Sequence, residues 1–235
     1  MILGGFGINM THSKEMDEIP KGEEMTKDFR LLPASWIVAA LGLADRFSRV
    51  LVRLRIDPNA LTALGLLSGA AVGLFYGLRR DIGAAAFIVV CGIFDILDGK
   101  VAANSGRKSL FGAMLDSSLD RYAEFFIYLG LAYRFRGGWG LWLMFFAFLG
   151  STMVSYTRAR AEGLGIDCRV GVMQRAERLL LLLAGTIVGV VFRVADPALL
   201  VVMGAVALVS NITAVQRIFA VRAIERAGAP RRTES

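Results

Sequence analysis

The carboxylates of residues 95–120, DILDGKVAANSGRKSLFGAMLDSSLD, are the chain's strongest candidates for chemistry. Asp95 and Asp98 are spaced i, i+3, and Asp116 and Asp120 are spaced i, i+4, so each pair shares one face of a helix. A polar link over 104–108 separates the pairs and is the right length for an antiparallel helix hairpin. Such a hairpin brings four carboxylates together in an otherwise apolar chain, where unpaired acids are costly and a cation must accompany them. No His or Cys lies in the stretch, and an all-carboxylate set suits one or two hard divalent ions, Mg²⁺, Mn²⁺ or Ca²⁺. Gly99 follows Asp98, and Gly112 lies one turn before Asp116. Small residues there let a phosphorylated ligand approach the ions closely.

The rest of the chain is what must position those acids. Of 235 residues, 55% are hydrophobic, too many for an ordinary soluble domain of this size. The 27 Lys and Arg against 20 acids give a formal charge of +7, as expected for cytoplasmic loops and anionic headgroups. The bases are scattered between apolar runs, which argues against nucleic acid as a partner. Residues 1–30 are mixed and polar, carry the single histidine His12, and lack a signal-peptide layout. They read as a flexible cytoplasmic segment, within which Met10, Met16 and Met25 are alternative starts. Over 31–55 an apolar face with Trp36, Ile37 and Phe47 adjoins Arg46, Arg49, Arg53 and Arg55, the pattern of a helix lying in the membrane interface.

Asp57-Pro58 then opens a charge-free stretch over 59–78, long enough to cross a membrane. Further spans are expected from 82 to the Asp95/Asp98 pair, over 109–133, 137–157, 173–192 and 197–221. The fold class is therefore an all-α integral membrane protein of six transmembrane helices preceded by an amphipathic interfacial helix. The membrane domain covers 31–225 and a basic tail follows over 226–235. Alternating direction puts the aspartate hairpin, the loop after the fourth span and both termini on one side. By the positive-inside rule that side is the cytoplasm, so a multi-pass protein of the cell (inner) membrane is expected, with its site facing inward. Cys91 and Cys168 form no CxxC pair, and Cys91 reads as a core residue.

Arg158, Arg178 and Arg217 fall near the cytoplasmic ends of the fourth, fifth and sixth spans. If those spans surround the hairpin, three guanidiniums converge beside the ions, and their forks suit phosphate oxygens. Snorkelling to lipid headgroups is the competing account of each. Arg160 lies two residues from Arg158 and turns to another face. Glu177 can pair with one of the arginines.

The spacing of Asp95, Asp98, Gly99, Ala102, Gly112, Asp116 and Asp120 resembles the D-x-x-D-G-x-x-A-R, eight residues, G-x-x-x-D-x-x-x-D pattern of the integral-membrane CDP-alcohol phosphotransferases. Ala103 departs from it, standing where the family has Arg. That puts one nucleotide contact in question, for which Arg107 or Lys108 could substitute. SYTRARAEGLG, QRAERL and NITAVQR further resemble the phosphatidylinositol-phosphate synthase branch, over nearly all of the chain after Leu31.

The resemblance implies a CDP-lipid donor, CDP-diacylglycerol or CDP-archaeol, and inositol 1-phosphate or a similar phosphorylated polyol as acceptor. It also implies Mg²⁺ or Mn²⁺, as two ions, at Asp95, Asp98, Asp116 and Asp120, with Asp120 as general base. The nucleotide and CDP-lipid would lie along Thr62, Asp98, Gly99, Ala102, Gly112 and Asp116, and the acceptor phosphate on Arg158, Arg178 and Arg217 with Arg160 beside them. Relatives of this kind are homodimers embedded among membrane lipids. Glycerol 3-phosphate is the alternative acceptor. A divalent-cation transporter and an inactive lipid-binding homologue are the readings from other classes.

Overall fold

A computed structural model of the chain describes residues 34–168 and 170–226, with side chains from residue 41 on. The N-terminal segment 1–30 with His12, the side chains of Trp36 and Ile37, and all of the expected tail but Arg226 lie outside the described residues. Two compact units are distinguished, Met1–Ala40 and Leu41–Ser235, and every contact given below belongs to the second.

Seven helices and no strand make up the described residues: α1 Ala34–Arg53, α2 Pro58–Gly77, α3 Asp81–Asn104, α4 Leu110–Arg134, α5 Gly140–Glu162, α6 Arg175–Val191 and α7 Ala195–Arg226. Local chemistry sets several of their ends. Asp57 is extended and its side chain accepts from the Asn59 amide at 2.8 Å, while Pro58 supplies a pre-set φ at the first helical position. Ser109 does the same for α4, accepting from the Gly112 amide at 2.9 Å. The turns after α1, α2 and α6 each contain an arginine in the left-handed region, Arg55, Arg79 and Arg193.

Four helices, α2, α3, α5 and α7, are long and apolar enough to cross a membrane. Of the other three helices, α4 and α6 are interrupted by charge. The first half of α4 carries Asp116, Asp120, Arg121 and Glu124, and α6 has 17 residues and opens on Arg175, Glu177 and Arg178.

The six helices after α1 close into a ring in the order α3–α2–α4–α5–α7–α6, with α6 returning to α3. The tightest seam is α2 against α4. A side chain at Gly73 would strike the Phe126 carbonyl at 2.0 Å, and one at Gly130 would strike the Gly73 carbonyl at 1.9 Å. Glycine at both points lets the two backbones touch, as small residues do between membrane helices. Inside the ring Val72, Tyr76, Ile127, Leu131, Met144, Leu199 and Met203 form the core. Two buried hydroxyl pairs, Tyr76 with Thr186 and Tyr128 with Ser151, both at 2.5 Å, satisfy polar groups within it. Leu67, Leu74, Phe146, Val201 and Leu208 project outward and are exposed.

At one end of the ring Arg134 is clasped by Asp81 and Asp196, with Arg79 also reaching Asp196 at 2.8 Å. The aspartate hairpin lies at the other end.

Candidate metal centre

The C-terminal third of α3 and the start of α4 carry the acids. Asp95, Asp116 and Asp120 each present an oxygen within 4.8 Å of the others, the spread expected of ligands around one hard cation. All three are half-buried, and the donor set is oxygen only, so these residues fit Mg²⁺ or Mn²⁺.

Asp98 stands apart from that trio. One turn beyond Asp95, it is buried, and its two oxygens are engaged locally. Oδ2 accepts from the Thr62 hydroxyl at 2.9 Å and Oδ1 accepts from the Gly99 amide at 2.6 Å. Thr62, expected beside the nucleotide, therefore ties the start of α2 to Asp98. Gly99 is open, with nothing near the position of a side chain, whereas a side chain at Gly112 would come within 3.1 Å of the capping Ser109 hydroxyl. Ala102 is half-buried, and Arg107 and Lys108 are exposed on the link between α3 and α4.

A residue that sequence reasoning passed over lies among the acids. Arg175, first in α6, donates from Nη1 to Asp95 and forms an ion pair with Asp120 at 2.9 Å. Glu124 was missed as well, although it continues the four-residue spacing Asp116, Asp120, Glu124 along α4. Its carboxylate receives Arg178 Nε at 2.8 Å and Nη2 at 2.5 Å, while Arg178 Nη1 donates to the Met173 carbonyl at 3.0 Å. Acids and bases thus alternate inward from the mouth: Asp95 and Asp120, then Arg175, then Glu124, then Arg178.

The three expected acceptor arginines differ in their surroundings. Arg217 is buried and donates to the carbonyls of Val154 and of Val170, the latter at 2.8 Å. Arg158 is partly exposed and pairs with Glu162 at 2.8 Å, and Arg160 is exposed. Arg158 and Arg178 are both close enough to Arg217 to repel it electrostatically. Each guanidinium has its own partners, Arg178 with Glu124, Arg158 with Glu162 and Arg217 with backbone carbonyls. Glu177 Oε2 accepts from the Gln174 amide at 2.8 Å in a capping box that starts α6.

Residues 55–222 match the profile of the CDP-alcohol phosphatidyltransferase family. The chain belongs to that family. This transferase is 40% identical over 138 residues to the archaetidylinositol phosphate synthase of Methanothermobacter thermautotrophicus, covering 58% of this chain and 69% of the relative. It is 34% identical over 186 residues to the phosphatidylinositol phosphate synthase of Mycobacteroides abscessus, covering 77% and 84%. Among solved structures it is similar to the phosphatidylinositol phosphate synthase of Mycobacterium tuberculosis with CDP-DAG bound, with a TM-score of 0.68 and 30% identity over 76% of this chain and 92% of that one. The same relative in complex with manganese and citrate gives a TM-score of 0.68 at 31% identity, over 76% and 88%.

Proposed function

We propose that this transferase moves the phosphatidyl-type group of a CDP-lipid to inositol 1-phosphate, releasing CMP. The observation that carries this reading is the Asp95, Asp116 and Asp120 oxygen cluster at one end of the ring, to which Arg158, Arg178 and Arg217 would add a basic acceptor pocket. One group suits a metal-bound pyrophosphate and the other a second, phosphorylated substrate. The names of the relatives support the same pair of substrates.

Asp95, Asp98, Asp116 and Asp120 would hold Mg²⁺ or Mn²⁺, as two ions, and the manganese complex of the mycobacterial relative supports that choice. Bound there, the ions would polarise the β-phosphoryl group and neutralise the departing CMP. Asp120 takes the proton of the acceptor hydroxyl as that oxygen bonds to phosphorus and the bond to CMP breaks. Thr62 acts through Asp98 by fixing its carboxylate. Gly99, Ala102 and Gly112 leave the donor's nucleotide room along α3 and α4, with Arg107 and Lys108 at its edge. Arg158, Arg178 and Arg217 draw the acceptor phosphate, with Arg160 at the rim. Arg217→Ala should raise the acceptor KM about tenfold with kcat little changed; an unmoved KM would remove it from the pocket.

All six helices of the ring are read as spans, α1 as an interfacial helix, and 31–225 as one membrane domain flanked by 1–30 and 226–235. The family match over 55–222 supports the domain, and exposed apolar residues on α4 and α6, such as Leu129, Ile187 and Val191, support the two charged spans. At about 1.5 Å per residue α6 extends roughly 26 Å, a little short of a hydrocarbon core of about 30 Å. Exposed Arg46, Arg49, Arg53, Arg107, Lys108, Arg222 and Arg226 favour a cytoplasmic site in the cell (inner) membrane. The homodimer rests on family resemblance alone.

The test is CMP release by the purified protein with Mg²⁺, from CDP-diacylglycerol and CDP-archaeol in turn. Inositol 1-phosphate, glycerol 3-phosphate and free inositol are offered in parallel. Release with inositol 1-phosphate alone is the expected result. Release with glycerol 3-phosphate would keep the aspartate chemistry and overturn the acceptor.

A further inference from the structure

Arg175 is a charged residue of this site that the transfer reaction leaves without a task. It opens α6, where a positive side chain opposes the positive end of the helix dipole, so helix stability does not explain it. The Gln174–Glu177 capping box fixes that helix end and with it the root of the side chain. The side chain is only 12% exposed and reaches across to α3 and α4, where Nη1 donates to Asp95 Oδ1 and forms an ion pair with Asp120 Oδ1. Its other donors do poorly. The contact of Nη2 is the Cys91 sulfur at 3.9 Å, and buried Nε has no hydrogen-bond partner among the described residues. Arg178, three residues on, has all three of its nitrogens bonded to oxygen.

Arg175 is thus held by the charge of the two carboxylates rather than by a socket shaped for a guanidinium. Those carboxylates belong to the trio that fits a divalent ion, and an oxygen lone pair aimed at an N–H is not available to a metal. We propose that Arg175 is a built-in competitor for the divalent cation: guanidinium and ion exchange at Asp95 and Asp120. The carboxylates then always have a cationic partner, which avoids the large cost of leaving buried charge unpaired. Metal affinity is set by a difference, the ion's attraction less that of the arginine it displaces. The proposal rests on reading the aspartate cluster as the metal site.

The test is direct Mn²⁺ titration of the purified full chain, following free Mn²⁺ by electron paramagnetic resonance, for wild type, Arg175→Gln and Arg175→Lys. Arg175→Gln should bind Mn²⁺ about tenfold more tightly or better, because a positive charge a few ångströms from the ligand oxygens has gone. The same variant should melt lower than wild type in EDTA and recover when Mn²⁺ is added, while Arg175→Lys stays near wild type. Unchanged or weaker binding by Arg175→Gln overturns the competition and makes Arg175 an orienting partner of the carboxylates. Should Arg175→Gln not fold, phenylglyoxal labelling of Arg175 in wild type, read by mass spectrometry, decides the matter. Protection in EDTA and labelling on adding Mn²⁺ is the expected result, and equal labelling overturns it. Wild type that binds no Mn²⁺ overturns the metal reading too, whereas normal wild-type binding with no effect of Arg175 overturns this proposal alone.

Discussion

At one end of the ring Arg134 reaches Asp81 and Asp196; at the other Arg175 reaches Asp95 and Asp120. The two constellations look alike locally and differ in their balance of charge. The Arg134 end is closed. Arg79 joins Asp196 and also donates to the Arg134 carbonyl at 3.4 Å, so two arginines meet two aspartates, and the Arg134 side chain is only 3% exposed. The Arg175 end is open. Asp116 lies in the same oxygen cluster and Asp98 one turn away, so Arg175 and the neighbouring Arg121 stand against four acids. A balanced network holds helix ends together, while an unbalanced one has affinity left for a further cation. The difference marks where the chemistry belongs.

Several experiments would break that contrast or sharpen it. The largest effect is expected from chelation. EDTA should abolish CMP release and Mg²⁺ or Mn²⁺ restore it, with activity that survives the chelator contradicting the metal assignment. Asp120→Asn should come next, lowering kcat by about 10²- to 10⁴-fold, the usual worth of a general base, while CDP-lipid binding persists. Undiminished turnover would remove Asp120 from that role.

At the closed end Arg134→Ala should cost about 3 kcal/mol of stability by stranding Asp81, while Arg79 keeps Asp196 paired. Mn²⁺ should not rescue that loss, and rescue would mean that the closed end also takes cations. The smallest effect is expected at α1. Asn104, at the end of α3, donates to Ser48 at 2.7 Å and to Asp45 at 3.2 Å. The Asn104 hydrogen bond, helped by Arg49 and Lys100, holds the Asp45 carboxyl below its ordinary value. That stabilisation is present above the carboxyl's unfolded titration and is lost as pH falls through the folded one. Hydrogen-exchange protection over 41–53 should therefore weaken in the acid range, and Asn104→Ala should flatten the dependence.

What was legible in the sequence was local. The Asp57-Pro58 start and the Ser109 cap are read from adjacent residues, and they place α2 and α4 within a residue of expectation. The carboxylate pairs follow from helical spacing alone, and the same rule extended by one turn would have found Glu124. What was not legible depends on partners far away in the chain. Arg175 meets Asp95 across 80 residues, and Arg178 meets Glu124 across 54. No pattern local to QRAERL says which arginine enters the acid cluster and which one turns into the core. Asp98 shares a helix face with Asp95, yet Thr62, 36 residues earlier, binds one of its oxygens and sets it apart. The charged helices α4 and α6 are a further case, because their polar residues face each other inside the ring, which only the assembled fold reveals.

Mn²⁺ binding to wild type and to Asp116→Asn tests the central claim most directly, since Asp116 belongs to the carboxylate trio but makes no ion pair with Arg175. Electron paramagnetic resonance should find Mn²⁺ bound by wild type and the binding weakened at least about tenfold in the variant. Equal binding by the two proteins would contradict the assignment of the ion to this end of the ring.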